Sequence, residues 1–273
     1  MWHTLSKLRK IDKDITEYGY KESYANKYGL YGGAPGMWGS YDSGVRNVSE
    51  PIKVKMCHGK VMWKSLLDYN WLGEKRKTFK TQLGVFDNDD RGEFGGSLYI
   101  HGKKKPLLDG NFCDMFDFDE YTYAISNLLH LWSGTLKIVR LDKNLGIEIL
   151  FNNEFQVYNF TSYEYLGHTI VDDVCYIIAS GNQEYRENDR QMFKDKTVIF
   201  KVDINGNFDV FKEFDFTLSH VTSLCMLNNC IYFGRNREVT KLNLETGVLE
   251  HYTHKDEEAL NNLVSLDEIL AID

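Results

Sequence analysis

Proline is scarce in this sequence, with 3 in 273 residues, which argues against a linker-rich or disordered chain. Cysteine is sparse too. Cys57, Cys113, Cys175, Cys225 and Cys230 make an odd set, and no two stand in a CxxC. Four of them sit among apolar strand-forming residues, so reduced core thiols in a cytoplasmic protein are expected, with an intermolecular disulfide as the alternative. No Cys/His group has zinc-ligand spacing, and no P-loop or G-x-G-x-x-G occurs. No cofactor and no metal is therefore expected. No stretch approaches the ~18 consecutive apolar residues of a membrane helix, and the opening MWHTLSKLRK lacks the apolar run of a secretory leader. Positive charge is in the minority, 32 Lys and Arg against 40 Asp and Glu, for a net −8. Nucleic-acid binding needs clustered cations and is not expected. The KKK at 103–105 and EKRK at 74–77 are short enough to be solvated surface.

Aromatic residues, by contrast, are abundant, at 14% of the chain, and they favour strands. Three segments share one pattern: KIVRLDKNLGIEILF (137–151), IFKVDINGNFDVF (199–211) and VTKLNLETGVLEHY (239–252). Each is an apolar strand, a turn rich in Asp, Asn, Thr or Gly, and a second alternating strand, which is a β-hairpin signature. Leu141, Val202 and Leu242 hold matching places, and SLYIHGKKKPLLD (97–109) is a weaker copy with Ile100 in that role. A second hairpin class interleaves with the first. Its turns fall at His58–Gly59, Asp119–Glu120, Asp172–Asp173 and Asn228–Asn229. Together they make repeated units of four strands, A-B-C-D, and a long period of such units marks a β-propeller.

The termini complete the count. Residues 262–273 look like an A–B hairpin turning at Asp267–Glu268, and residues 5–20 look like a C–D hairpin lacking its A and B. For 255–270 an amphipathic helix is the alternative. With the two orphans joined, the chain resembles the five-bladed β-propeller class over nearly its full length. The fold expected is all-β, a single domain over 1–273, with the last blade shared between N-terminal C–D and C-terminal A–B strands. Ser40-Tyr41-Asp42-Ser43-Gly44-Val45-Arg46-Asn47 comes close to the Asp-box of sialidase-type propellers, but it ends in Asn and occurs once. No Trp-Asp dipeptide recurs. The resemblance is to an architecture and does not fix a function.

In such a meander, A–B and C–D turns share one face, and B–C and D–A connections share the other. The long connections, 19–50, 64–95 and 181–196, all belong to the second kind, where binding residues usually sit. The Tyr/Gly-rich insertion 19–50 carries Tyr31, Trp38 and Tyr41, suited to an interface or to a plug over the channel mouth. The stretch GVFDNDDRGEFG (84–95) reads as an acidic loop with Asp87, Asp89, Asp90, Arg91, Glu93 and Phe94. As an EF-hand from Asp87 it fails, because Arg91 stands at position 5 and Leu98 at position 12. Glu184, Tyr185, Arg186 and Glu187 lie in the third connection.

Counting eight residues back from each A–B turn gives Glu50, Asn111, Glu164, His220 and Ala259, a set that would ring a channel mouth. Two carboxylates and a histidine there suit acid–base work, as in the furanosidase type of five-bladed propeller. Two functions follow as expectations. The first is a non-catalytic propeller binding a basic protein through its long-loop face, in the manner of an inhibitor or immunity-type protein that neutralises a basic effector or toxin. The second is a carbohydrate-binding or glycoside-hydrolase-like propeller. Oligomeric state is not legible.

Overall fold

The computed structural model describes residues 1–12, 14–15, 51–65, 76–90, 95–130, 133–153, 161–187 and 190–254. The insertion 19–50 and the segment 255–273 lie outside these residues. The described chain is all-β, apart from a single 3-10 turn at Leu5–Lys7. Its contacts divide it into two compact units, Met1–Tyr69 with Ser219–Asp273, and Asn70–Leu218.

The unit 70–218 holds three four-stranded antiparallel sheets. The first is built from β5 (Arg76–Thr81), β6 (Gly84–Asp90), β7 (Gly96–Ile100) and β8 (Leu108–Asp109), the second from β9 (Phe112–Phe118), β10 (Tyr121–His130), β11 (Ser133–Leu141) and β12 (Ile147–Asn152). The third is β13 (Thr161–Val171), β14 (Val174–Glu187), β15 (Arg190–Asp203) and β16 (Phe208–Phe214). The middle sheet is buried on both faces. Tyr123, Ile125, Leu136 and Ile138 pack with Cys175, Ile177, Val198 and Phe200 of the third sheet. Ala124, Val139 and Leu141, of opposite parity, pack with Phe86 and Leu98 of the first. This is the period-2 alternation of a strand filling two cores at once.

The other unit holds a three-stranded sheet, β1 (His3–Thr4), β4 (Lys60–Ser65) and β3 (Ile52–Cys57), and a five-stranded one. The latter runs β17 (Ser223–Leu227), β18 (Cys230–Gly234), β19 (Glu238–Asn243), β20 (Leu249–Thr253) and β2 (Arg9–Ile11). Ile52, Val54, Val61 and Trp63 pack with Cys225, Tyr232 and Val239 between them. A Cβ on Gly234 would overlap the Ile52 carbonyl oxygen. The Ile52 N–H meanwhile reaches the Arg235 carbonyl at 2.8 Å, so glycine permits this close backbone approach.

All four expected turns of the second hairpin class are present, with positive φ at His58, Asp119, Asp172, Asp173, Asn228 and Asn229, as tight hairpin turns require. The other repeat also holds. Leu141, Val202 and Leu242 are fully buried, and the residue after each closes its turn with a side-chain oxygen. Asp142 accepts from the N–H groups of Asn144 and Gly146 at 2.7 and 2.8 Å, Asp203 from Asn205 and Asn207, both at 2.9 Å, and Asn243 from Glu245 and Thr246 at 2.9 and 3.0 Å.

Three expectations are corrected. Residues 5–12 are not the single C strand expected there: after β1, which pairs with β4, comes the 3-10 turn, and β2 then pairs with β20, while 16–20, expected to supply the D strand, lie outside the described residues. Second, 64–95 is not one long connection. It contains the β5–β6 hairpin, and the strands at 97–109 join that hairpin, not 52–65. Third, 181–187 and 190–196 are not loop but the continuation of β14 and β15, paired in register from Val174↔Asp203 to Glu187↔Arg190.

One device recurs within the unit 70–218. A polar side chain on a sheet's second strand captures a backbone N–H of the chain beyond that sheet. Asn88 Oδ1 accepts from Phe112 N–H at 3.2 Å, Asn127 Oδ1 from Tyr165 N–H at 3.1 Å, and Ser180 Oγ from Leu218 N–H at 2.7 Å. Asn127 also donates to the carbonyls of Thr135 and Tyr163, at 3.1 and 2.8 Å. Asn127→Ala leaves three backbone groups without these partners. A loss of about 2–3 kcal/mol in urea-unfolding stability is expected, and a loss below about 0.5 kcal/mol would count against the role assigned to Asn127.

Candidate functional site

The acidic stretch proposed as a recognition loop is a strand. Asp87, Asp89 and Asp90 belong to β6, between β5 and β7. Asp87 is committed locally, accepting from Thr78 Oγ1 at 3.0 Å and meeting His101 Nδ1 at 2.7 Å. Asp89 stands across from Arg76, and Asn88 between them points into the core. Arg91, Glu93 and Phe94, like Tyr31, Trp38, Tyr41 and Glu50, lie outside the described residues. Glu184, Tyr185, Arg186 and Glu187 fall on the outer half of β14, opposite Phe193, Met192, Gln191 and Arg190 of β15. β13 pairs with β14 only as far as Thr161↔Gln183, and β16 with β15 only as far as Thr197↔Phe214. Among the described residues the tip is thus a two-stranded ribbon running past both neighbours. Lys194–Asp215 and Lys196–Glu213 ion pairs, at 2.7 and 2.9 Å, brace its base, and Phe193 is exposed.

Of the residues expected around a channel mouth, Asn111 is buried just before β9, and its carbonyl accepts from Asn127 N–H at 2.9 Å. Glu164 is half-buried in β13, and burial pushes its carboxyl above the usual range. His220 belongs to the other unit, with a left-handed backbone of φ 55°.

Two polar groups escaped the sequence reading. In the unit 70–218, Tyr165 OH donates to Asp114 Oδ2 at 2.5 Å, and His168 Nδ1 stands 3.0 Å from the same oxygen and 2.9 Å from the Tyr165 hydroxyl. Phe116 stacks on the His168 ring, centroids 3.7 Å apart at 17°. Residues three apart on a strand face opposite sides. A register shift between Tyr165 and Gly167 adds one residue and turns both side chains to Asp114. Burial works to raise the Asp114 carboxyl, but His168, then Tyr165 and the Met115 backbone, bring it below its ordinary value. Burial, and then Asp114 itself, push the Tyr165 hydroxyl well up.

In the other unit, Arg235 is almost wholly buried. Its Nη1 donates to Glu238 at 2.9 Å, to Thr240 Oγ1 at 3.2 Å and to Asp14, and its Nε donates to the Ser219 carbonyl at 2.9 Å. Glu238, also buried, accepts from Ile15 N–H at 3.0 Å and Thr240 Oγ1 at 2.6 Å, and meets His251 Nδ1 at 3.0 Å. Asp14, Glu238 and His251 stand close enough to hold a metal, with ligand atoms within 4.8 Å of one another. The Arg235 guanidinium, however, already supplies the positive charge to both carboxylates, so the donor set does not fit a resident cation. As expected from their spacing, His251 and His254 serve different neighbours: His254 stacks on Trp63 at 5.3 Å.

No protein-family model matches the chain, and no curated protein matches it. Among solved structures, a match is the crystal structure of the computationally designed Ika8 protein, at 12% identity and a TM-score of 0.23. The match covers 62% of this chain and 55% of that one, so the chain spans about half the length of that structure. Likeness at this level carries no argument about fold or activity.

All five cysteines are free thiols. Burial pushes Cys113, Cys175 and Cys225 up to about 12, and Cys230 is buried. Cys57 is half-exposed, with its Sγ 3.3 Å from His58 Nδ1. Titration with Ellman's reagent at pH 8 on the folded protein should show one fast thiol, absent in Cys57→Ser, and the others only on unfolding. The lowered Asp114 carboxyl sets a second expectation. Its contribution to stability is complete above the ~3.9 of an unfolded aspartate and is lost as pH falls through the lower folded value. The stability gap between wild type and Asp114→Asn, followed by denaturant titration, should be constant above about pH 5 and should shrink below about pH 4.

Proposed function

We propose that this chain is a recognition protein of five-bladed propeller type that binds a basic protein partner, as an inhibitor or immunity-type protein neutralising a basic effector does. The observation that carries this reading is the β14–β15 ribbon. Among the described residues this hairpin is held at its base by a packed sheet and runs past both neighbouring strands, which offers backbone edges for strand addition. The positions sequence analysis had assigned to a loop, Glu184 to Glu187, lie on that ribbon. The net charge of −8 favours a basic partner through long-range steering. The β6 aspartates are weaker candidates for direct contact, because Asp87 is already bonded to Thr78 and His101; their part is in the field that draws the partner in.

The test compares tagged wild type with two variants in capture from the native cell, followed by binding kinetics on the recovered partner across a salt series. One variant replaces residues 184–193 with an Asn-Gly turn; the other carries Asp87→Lys, Asp89→Lys and Asp90→Lys. Shortening the ribbon should abolish capture. Charge reversal should slow association by roughly tenfold and flatten its salt dependence. A partner held equally by the ribbon-shortened protein would overturn the reading.

A further inference from the structure

We propose that His168 is a general base whose Nε2 takes a proton from water or a hydroxyl-bearing ligand at a site between β9 and β13, suited to hydrolysis of a small ester. This stands apart from the recognition reading, which concerns the ribbon. A carboxylate only accepts hydrogen bonds. With Asp114 Oδ2 3.0 Å from His168 Nδ1, that nitrogen carries a hydrogen, and in the neutral ring the lone pair lies on Nε2. Nε2 receives no hydrogen bond from the described residues and is not among their buried atoms lacking a partner. A quarter of the His168 side chain is exposed, and with Nδ1 anchored on Asp114 Nε2 is the ring nitrogen left to meet a ligand.

A histidine serving only to join two strands buries both nitrogens and satisfies both. Here one nitrogen is anchored and the other presented. The ring cannot swing away, because Phe116 lies flat against one face and the bulge after Tyr165 fixes the backbone that carries it. Tyr165 donates to the same Asp114 oxygen, so the anchor is itself held. A carboxylate behind Nδ1 both orients the imidazole and stabilises the imidazolium formed when Nε2 takes a proton. Asp114 and Tyr165 are positioning residues in this scheme.

The step is balanced without a further reagent. Nε2 removes a proton from water, and the water oxygen forms a bond to the ester carbonyl carbon. The bond from that carbon to the leaving oxygen then breaks, and the imidazolium returns its proton to the leaving group or to solvent.

The experiment uses the full chain with p-nitrophenyl acetate as probe, and nitrogen-15 NMR of labelled histidines to read the tautomer. Wild type should carry the His168 hydrogen on Nδ1 and should release p-nitrophenolate faster than His168→Gln. Asp114→Asn should reduce that excess rate about tenfold and shift the tautomer balance, a readout that a merely structural role would not produce. Circular dichroism identifies any variant that fails to fold, and the tautomer measurement on wild type needs no variant. A wild-type rate equal to that of folded His168→Gln, or a His168 hydrogen on Nε2 in wild type, would overturn the proposal.

Discussion

The arrangement of the unit 70–218 depends on three backbone N–H groups caught by buried or half-buried polar side chains. Burial of apolar surface supplies most of the favourable free energy but has no direction; two sheets lined by Ile, Val, Phe and Tyr slide past one another at little cost. A captured amide has a fixed geometry. Asn88 and Asn127 each bind a residue of the following sheet, and Ser180 binds Leu218 in the connection after the third, so the second and third sheets are each registered by the one before. Ser180 is bound in turn by Thr197 at 2.9 Å, and Thr197 donates to the Phe216 carbonyl at 2.7 Å. The connection after the third sheet is therefore held at two points. The unit containing both ends of the chain reaches the same result by another route, direct backbone contact between Ile52 and Arg235 beside Gly234.

The polar group at Asp114 is a consequence of this registration. Asn127 takes the Tyr163 carbonyl and the Tyr165 N–H, which fixes β13 on either side of Glu164. The bulge follows at once, and it is the bulge that presents Tyr165 and His168 together. Moving β13 by one residue would exchange its two faces, placing Glu164 where Tyr165 now meets Asp114. An ionised carboxylate would then face a carboxylate. The tether thus excludes the one neighbouring register that would put like charges together.

Much of the fold was legible in the sequence, for identifiable reasons. Two-residue turns made of Asp, Asn, His and Gly between alternating strands announce themselves, as do the buried Leu141, Val202 and Leu242 that precede each Asx-closed turn. β5 and β6 did not. RKTFKT contains one apolar residue, the turn at Gln82–Leu83 carries neither Gly nor Asn, and an acidic strand looks like a solvated loop. The ribbon was missed for a related reason: GNQEYRENDRQMFKDK has the composition of a loop, yet it continues strands whose inner halves are deeply buried. Glu164 was singled out by counting alone, and its neighbours supplied the chemistry. Asp114 and His168 stand 54 residues apart, and no local pattern links them. Arg235 was invisible as well, because a buried arginine is recognised only by the acids around it, Glu238 nearby and Asp14 from the far end of the chain.

The fate of the acidic residues bears on function. A net charge of −8 suggests a surface free to attract a cationic partner, but many of these groups are already occupied. Asp142 and Asp203 close turns, and Glu148 binds Arg140. Glu250 is clamped between Lys10 and Lys241, which with burial acting against them hold its carboxyl down at about 2, and Glu238 is buried on Arg235. The exposed pairs among these contribute little to stability individually, but each withdraws a carboxylate from short-range recognition while leaving the overall field intact. On the proposed reading the field belongs to the whole chain, and Asp87, already bonded to Thr78 and His101, is a weaker candidate for direct contact than a residue without such commitments.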